Sequence, residues 1–132
     1  MEDQLFVLVV EDDLAIQTLI EEALAEGGFE TAIAASGEEA VTLLKSGARP
    51  NYRALVTDIN LRGRMDGWDV ARRAREIEPT FPVVYMTGAA SEQWASQGVP
   101  NSILLNKPFA SAQLVTALAQ LLNAGDAPIA TA

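Results

Sequence analysis

The chain has 132 residues, 49% hydrophobic and 20% charged, which is the size and balance of one globular domain with a real core. Eighteen acids against nine bases leave a formal net charge of −9, a surface that repels phosphate backbones and anionic lipid, so no direct nucleic-acid or membrane contact is expected. Cys and His are both absent, which excludes disulfide, thiolate and imidazole chemistry; the acidic start MEDQLF is no secretory leader and no apolar run spans a bilayer, so a cytoplasmic protein is expected.

The first element, LFVLVV (5–10), is a continuous Val-rich run of strand length, as in a strand buried on both faces. From Leu14, apolar residues Ile16, Leu19, Ile20, Ala23 and Leu24 recur at helical spacing until Gly27-Gly28, and Asp13 is placed to cap that helix. FETAIA (29–34) reads as a second strand. The helix after it has Ser36 as N-cap, Glu39 three residues on as in a capping box, and Gly47 as its stop. RALVTD (53–58) is a third strand, and MDGWDVARRAREIEP supplies a helix with Val70, Ala71, Ala74 and Ile77 on one face. PVVYMT (82–87) is a fourth strand. A short polar helix near 91–98 leads to SILLN (102–106) as the fifth, and FASAQLVTALAQLL (109–122) closes the core. One domain over 1–123 and a disordered tail over 124–132 are expected.

Strict alternation of five strands and helices implies a parallel sheet covered on both faces, with its working site at the carboxyl ends of the strands. Glu11, Asp12 and Asp13 follow the first strand, Asp58 ends the third, Thr87 ends the fourth and Lys107 follows the fifth. Carboxylates gathered this closely cannot all stay ionised without a cation among them. Oxygen ligands in a small site point to Mg2+ in preference to Ca2+. With an ammonium and a hydroxyl alongside, the set suits a phosphoryl group held on a carboxylate, since phosphoryl transfer asks mainly for positioning and charge neutralisation.

The stretches VLVVEDD, VTDINL, MDG, VVYMTG and NKPF resemble the receiver domain of two-component response regulators over about residues 5–122. The resemblance implies a flavodoxin-like, doubly wound α/β fold with strand order 2-1-3-4-5. It implies Asp58 as phospho-acceptor and Glu11, Asp12, Asp58 and the Asn60 backbone carbonyl as the Mg2+ ligands. It also implies Thr87 and Lys107 as the groups contacting the phosphoryl, and a cis bond between Lys107 and Pro108. The partners it implies are a sensor histidine kinase or histidine phosphotransfer protein and a downstream effector protein, read by a chain that stands alone and catalyses only its own phosphorylation and dephosphorylation.

The sequence departs from that pattern in two places. Leu104 occupies the position where most relatives carry an aromatic residue, and Tyr85, on the same side of its strand as Thr87, is a candidate substitute switch or plain core. The loop NLRGRMDG carries Arg62-Gly63 and is one residue longer than usual. Trp94 is a packing anchor or part of a partner face, and Trp68 is structural. Five arginines, Arg62, Arg64, Arg72, Arg73 and Arg75, read as a solvated face balanced by Glu76 and Glu78, or else as a patch for an acidic partner. Two other functions stay open: a Mg2+-dependent phosphatase with an aspartyl nucleophile, disfavoured because Asn60 stands where a general acid would, and a pseudo-receiver that never takes phosphate.

Overall fold

The computed structural model describes residues 5–46, 51–89 and 91–126. Five strands, β1 (Phe6–Val10), β2 (Glu30–Ala34), β3 (Tyr52–Asp58), β4 (Val83–Thr87) and β5 (Ile103–Asn106), form one sheet. All neighbouring pairs are parallel, in the order β2-β1-β3-β4-β5, so the order expected from the resemblance holds.

Side chains alternate across the sheet, and each face buries its own layer. Val7 and Val9 turn toward α1 (Leu14–Glu26) and α5 (Ser111–Asp126), against Ile20, Leu24, Leu114 and Leu118. Leu8 and Val10 turn toward α2 (Gly37–Ser46) and α3 (Gly67–Ile77), against Ala40, Val70, Ala71 and Ala74. All four β1 side chains are fully buried, which explains why this strand reads as an unbroken apolar run. Each such Val or Leu contributes about 1.5–3 kcal/mol of transfer free energy.

Local sequence chemistry sets most element ends. Asp13 caps α1, its Oδ1 accepting the Ala15 and Ile16 N–H groups at 2.9 and 3.1 Å. The Ser36 hydroxyl accepts the Glu39 N–H at 3.1 Å, while the Glu39 carboxylate reaches one residue further back than a full capping box, to the Ala35 N–H at 2.9 Å. The complete box is at α3, where Asp66 and Asp69 each accept the other's backbone N–H.

Two expectations change. The polar segment near 91–98 is a 3-10 turn (Ser91–Gln93) followed by a single helical turn, α4 (Trp94–Gln97), with no buried residue in either. It has no apolar stripe to bury, so tertiary packing gives a longer helix nothing to rest on. The last helix continues through Asp126 instead of stopping at Leu122: Asn123 and Gly125 are weak helix formers, but with no Pro among these residues each costs only about 1 kcal/mol or less, which a helix already formed can absorb. The expected stop at Gly47 and the part of the expected tail beyond Asp126 lie outside the described residues.

Candidate functional site

In this strand order the direction of winding reverses between β1 and β3, and open α/β sheets place their sites at that crevice. Val10 pairs with Thr57, so Glu11 and Asp58 leave their strands side by side. Asp58 pairs with Met86 on β4, Thr87 pairs with Asn106 on β5, and the Lys107 N–H donates to the Thr87 carbonyl at 2.8 Å. Residues distant in sequence thus share one edge.

Glu11, Asp12 and Asp58 each offer a carboxylate oxygen, and the three oxygens lie within 4.8 Å of one another. The Lys107 ammonium stands 3.2 Å from both Glu11 Oε1 and Asp58 Oδ2. Glu11 is 1% exposed, and burial is the main reason its pKa rises above the ordinary 4.5; the nearby Asp58 charge adds to the rise, and the Asp13 N–H bond and Lys107 oppose it. For Lys107 burial acts against the ammonium, but the charges and hydrogen bonds of Asp58 and Glu11 together outweigh it and hold its pKa above 10.5.

One ammonium against three carboxylates leaves an excess of negative charge in a half-buried space. That donor set, all oxygen and anionic, fits a small hard dication. Among the described residues it is the cluster that meets the geometric requirement for a bound metal ion.

Backbone geometry holds Asp58 in place. Its Oδ1 accepts the Asn60 N–H at 3.3 Å, and the Thr57 hydroxyl donates to the Asp58 carbonyl at 2.9 Å. The start of α3 presses on the same peptide: a Cβ on Gly67 would lie 2.3 Å from the Asp58 carbonyl oxygen. The Gly of the MDG stretch is therefore required by close approach.

Thr87 is fully buried at the end of β4, and its hydroxyl oxygen accepts the Ala89 N–H at 3.1 Å. Tyr85 is also fully buried. Its ring lies 4.7 Å from that of Trp68, tilted by 58°, and its hydroxyl accepts the Val99 N–H at 3.0 Å. Leu104 is its register partner on β5. Trp94 is 39% exposed, and its indole N–H donates to the Ser102 hydroxyl at 2.9 Å. The peptide bond between Lys107 and Pro108 is cis.

Within the arginine cluster Arg73 pairs with Glu76 at 4.0 Å, as expected of a solvated face, while the other four make further contacts. Arg72 donates to Gln97 Oε1 at 2.6 Å and pairs with Asp69 at 3.2 Å, and Arg75 donates to the Phe81 and Pro100 carbonyls at 2.6 and 2.7 Å. Arg62 reaches Asp12, with Nε 3.7 Å from Oδ2, and the Arg64 N–H donates to Glu38 at 2.8 Å. Arg72 to Asp69 is an ordinary i,i+3 helix pair, but the contacts of Arg72 with Gln97, Arg75 with Pro100, Arg62 with Asp12 and Arg64 with Glu38 join residues 25 or more positions apart, beyond any periodic signal. Only the extra Arg62-Gly63 in the loop hinted at the last two.

A flavodoxin-like domain with an acidic crevice at its switch point is a class that comparison with known proteins narrows further. The response regulator receiver domain family matches residues 7–119. The response regulator MprA of Mycolicibacterium vanbaalenii is 32% identical over 119 residues, 89% of this chain and 50% of that protein, so the chain spans about half the length of such curated relatives. A response regulator receiver protein from Sinorhizobium medicae WSM419 superposes with a TM-score of 0.88 at 47% identity, covering 92% of this chain and 96% of that one. The receiver domain of the sensor histidine kinase PA1611 from Pseudomonas aeruginosa PAO1, which holds a magnesium ion coordinated in its active-site cleft, gives 0.76 at 27% identity over 91% and 98%. The chain belongs to the response regulator receiver domain family. No helix among the described residues is long and apolar enough to cross a membrane.

Proposed function

We propose that this chain accepts a phosphoryl group on Asp58 from a phosphohistidine carried by a sensor kinase or phosphotransfer protein, and signals by protein contact. The observation that carries this is Lys107, equidistant from Asp58 and Glu11 inside a three-carboxylate cluster. In the transfer a P–N bond to the donor imidazole breaks and a P–O bond to the Asp58 carboxylate forms, so no proton need be taken from this chain. Lys107 offers its charge to an incoming phosphoryl oxygen and the Thr87 hydroxyl a hydrogen bond.

Glu11, Asp12, Asp58 and the Asn60 carbonyl would hold Mg2+, and the receiver from Pseudomonas aeruginosa with magnesium in its cleft supports that reading. The ion would supply charge neutralisation for the phosphoryl oxygens.

Beside Lys107 and Pro108, a groove of about 440 Å³ runs between α1 and α5 past Ile16, Leu19 and Phe109. Leu19, 64% exposed, lines it, and Leu14, 76% exposed, opens the same helix, an apolar surface suited to the donor protein. Once Asp58 carries a dianionic group, Thr87 is drawn toward it. Tyr85, two residues earlier on β4, passes the change to Val99 and so to α4, taking the part that Leu104 cannot.

The test is incubation with Mg2+ and acetyl phosphate, followed by intact mass. One phosphoryl adduct is expected on the wild type and none on Asp58→Asn. A phosphatase would instead release phosphate from esters over many turnovers, and a pseudo-receiver would take no label.

A further inference from the structure

The alternate backbone amides of the loop between β3 and α3 face acids from three different segments, the end of β3, the loop after β1 and α2. The Asn60 N–H donates to Asp58 at 3.3 Å, the Arg62 N–H to Asp12 Oδ2 at 3.2 Å, and the Arg64 N–H to Glu38 Oε2 at 2.8 Å. Between the last two, Gly63 has φ +100, and a Cβ there would sit 2.8 Å from Glu38 Oε1. Glycine is what lets the chain turn over the Glu38 carboxylate. The N–H groups of Arg64 and of Glu38 itself hold the Glu38 carboxyl below its ordinary range, in keeping with an anchor that works ionised.

The counter-charges of the cluster are divided. Lys107, 24% exposed, pairs with Glu11 and Asp58. Asp12 pairs with the guanidinium of Arg62, whose side chain is 88% exposed and free to leave into water. Of the three clustered carboxylates, Asp12 is thus the one whose partner can be displaced at small cost.

We propose that Arg62 is a resident cation of the site, seated on Asp12 by a strap that Glu38 anchors, and that it lowers the affinity for the divalent ion by competing for Asp12. This rests on the Mg2+ site proposed above. Arg62 and Glu38 are positioning residues, since neither supplies an atom to the phosphoryl group. Two cations cannot share one carboxylate without mutual repulsion, so loading the ion must move the guanidinium away. An exposed pair of this kind is worth a small factor, about twofold to fivefold in binding.

Mg2+ titration by calorimetry, with no phosphodonor present, tests the proposal. Arg62→Gln should bind Mg2+ about twofold to fivefold tighter than wild type, and Arg62→Lys should return toward wild type because it keeps the charge. Glu38→Ala should bind tighter than Glu38→Gln, which makes the same charge change but retains an acceptor for the strap. Arg62→Gln combined with Glu38→Ala should bind no tighter than Arg62→Gln alone, since both act through one contact. Equal or weaker binding in Arg62→Gln, with binding intact elsewhere, overturns the strap alone. Full additivity of the two changes removes Glu38 from it. No Mg2+ binding in any variant overturns both the strap and the functional reading beneath it.

Discussion

Helix α3 leads into β4 and helix α4 follows it, yet they are held by different means. Helix α3 buries Trp68, Val70, Ala71 and Ala74, closes with a reciprocal capping box, and meets the Asp58 peptide so closely that only glycine fits. Helix α4 buries nothing and has no side-chain cap. It is tied down from outside, by Arg72 to Gln97, Trp94 to Ser102 and Tyr85 to Val99. Apolar burial makes α3 a fixed wall for the site. A handful of polar contacts, each worth about 0.5–1.5 kcal/mol, leaves α4 the cheaper element to move.

The strongest way to break this contrast is a pair of matched truncations. Trp68→Ala should cost about 3–5 kcal/mol in urea denaturation, as for any large buried aromatic. Trp94→Ala should cost about 1 kcal/mol or less globally while speeding amide exchange through residues 94–99. Similar losses at both positions would show α4 to be as rigid as α3.

Next in size, Tyr85→Phe keeps the contact with Trp68 but leaves the Val99 N–H unpaired, at a cost of about 1–3 kcal/mol, read as faster exchange at Val99 in particular. The same variant has a pH signature. Burial raises the Tyr85 pKa above 10.0, with the Val99 hydrogen bond and the charges of Arg72 and Arg75 opposing. The unfolded chain therefore ionises first. The contribution of the phenol is complete below pH 10.0 and is lost as pH rises toward the folded value. Wild type should lose stability above pH 10 relative to Tyr85→Phe, a comparison that cancels the parallel loss expected from Lys107, whose pKa is raised as well. The smallest effect is expected from Arg72→Gln. About 0.5 kcal/mol or less should be lost globally, with the change confined to amides near Gln97.

How far the sequence could be read follows the same division. The wall was legible: β1 and β3 are apolar runs ending on acids, Asp13 is a cap by type and position, and α3 shows its stripe. The convergence of Glu11, Asp12, Asp58 and Lys107 followed from parallel strands alone, whereas the strand order came from resemblance. The part held by polar contacts was not legible. The four residues of α4 have no apolar period to measure, and the partners of Arg72 and Arg75 lie across space, so the arginines looked like a solvated face. The strap from Glu38 to Asp12 was hidden for the same reason, with Gly63 its only trace.

The pairing of Lys107 with Glu11 joins positions 96 residues apart. Any fragment that ends before Asn106 gathers the acids of β1 and β3 with no ammonium to meet them. In such a fragment Arg62 still reaches Asp12, but Glu11 and Asp58 lack the ammonium that pairs with them in the full sheet. The fifth strand of this sheet thus brings the ammonium that faces two of the three clustered carboxylates.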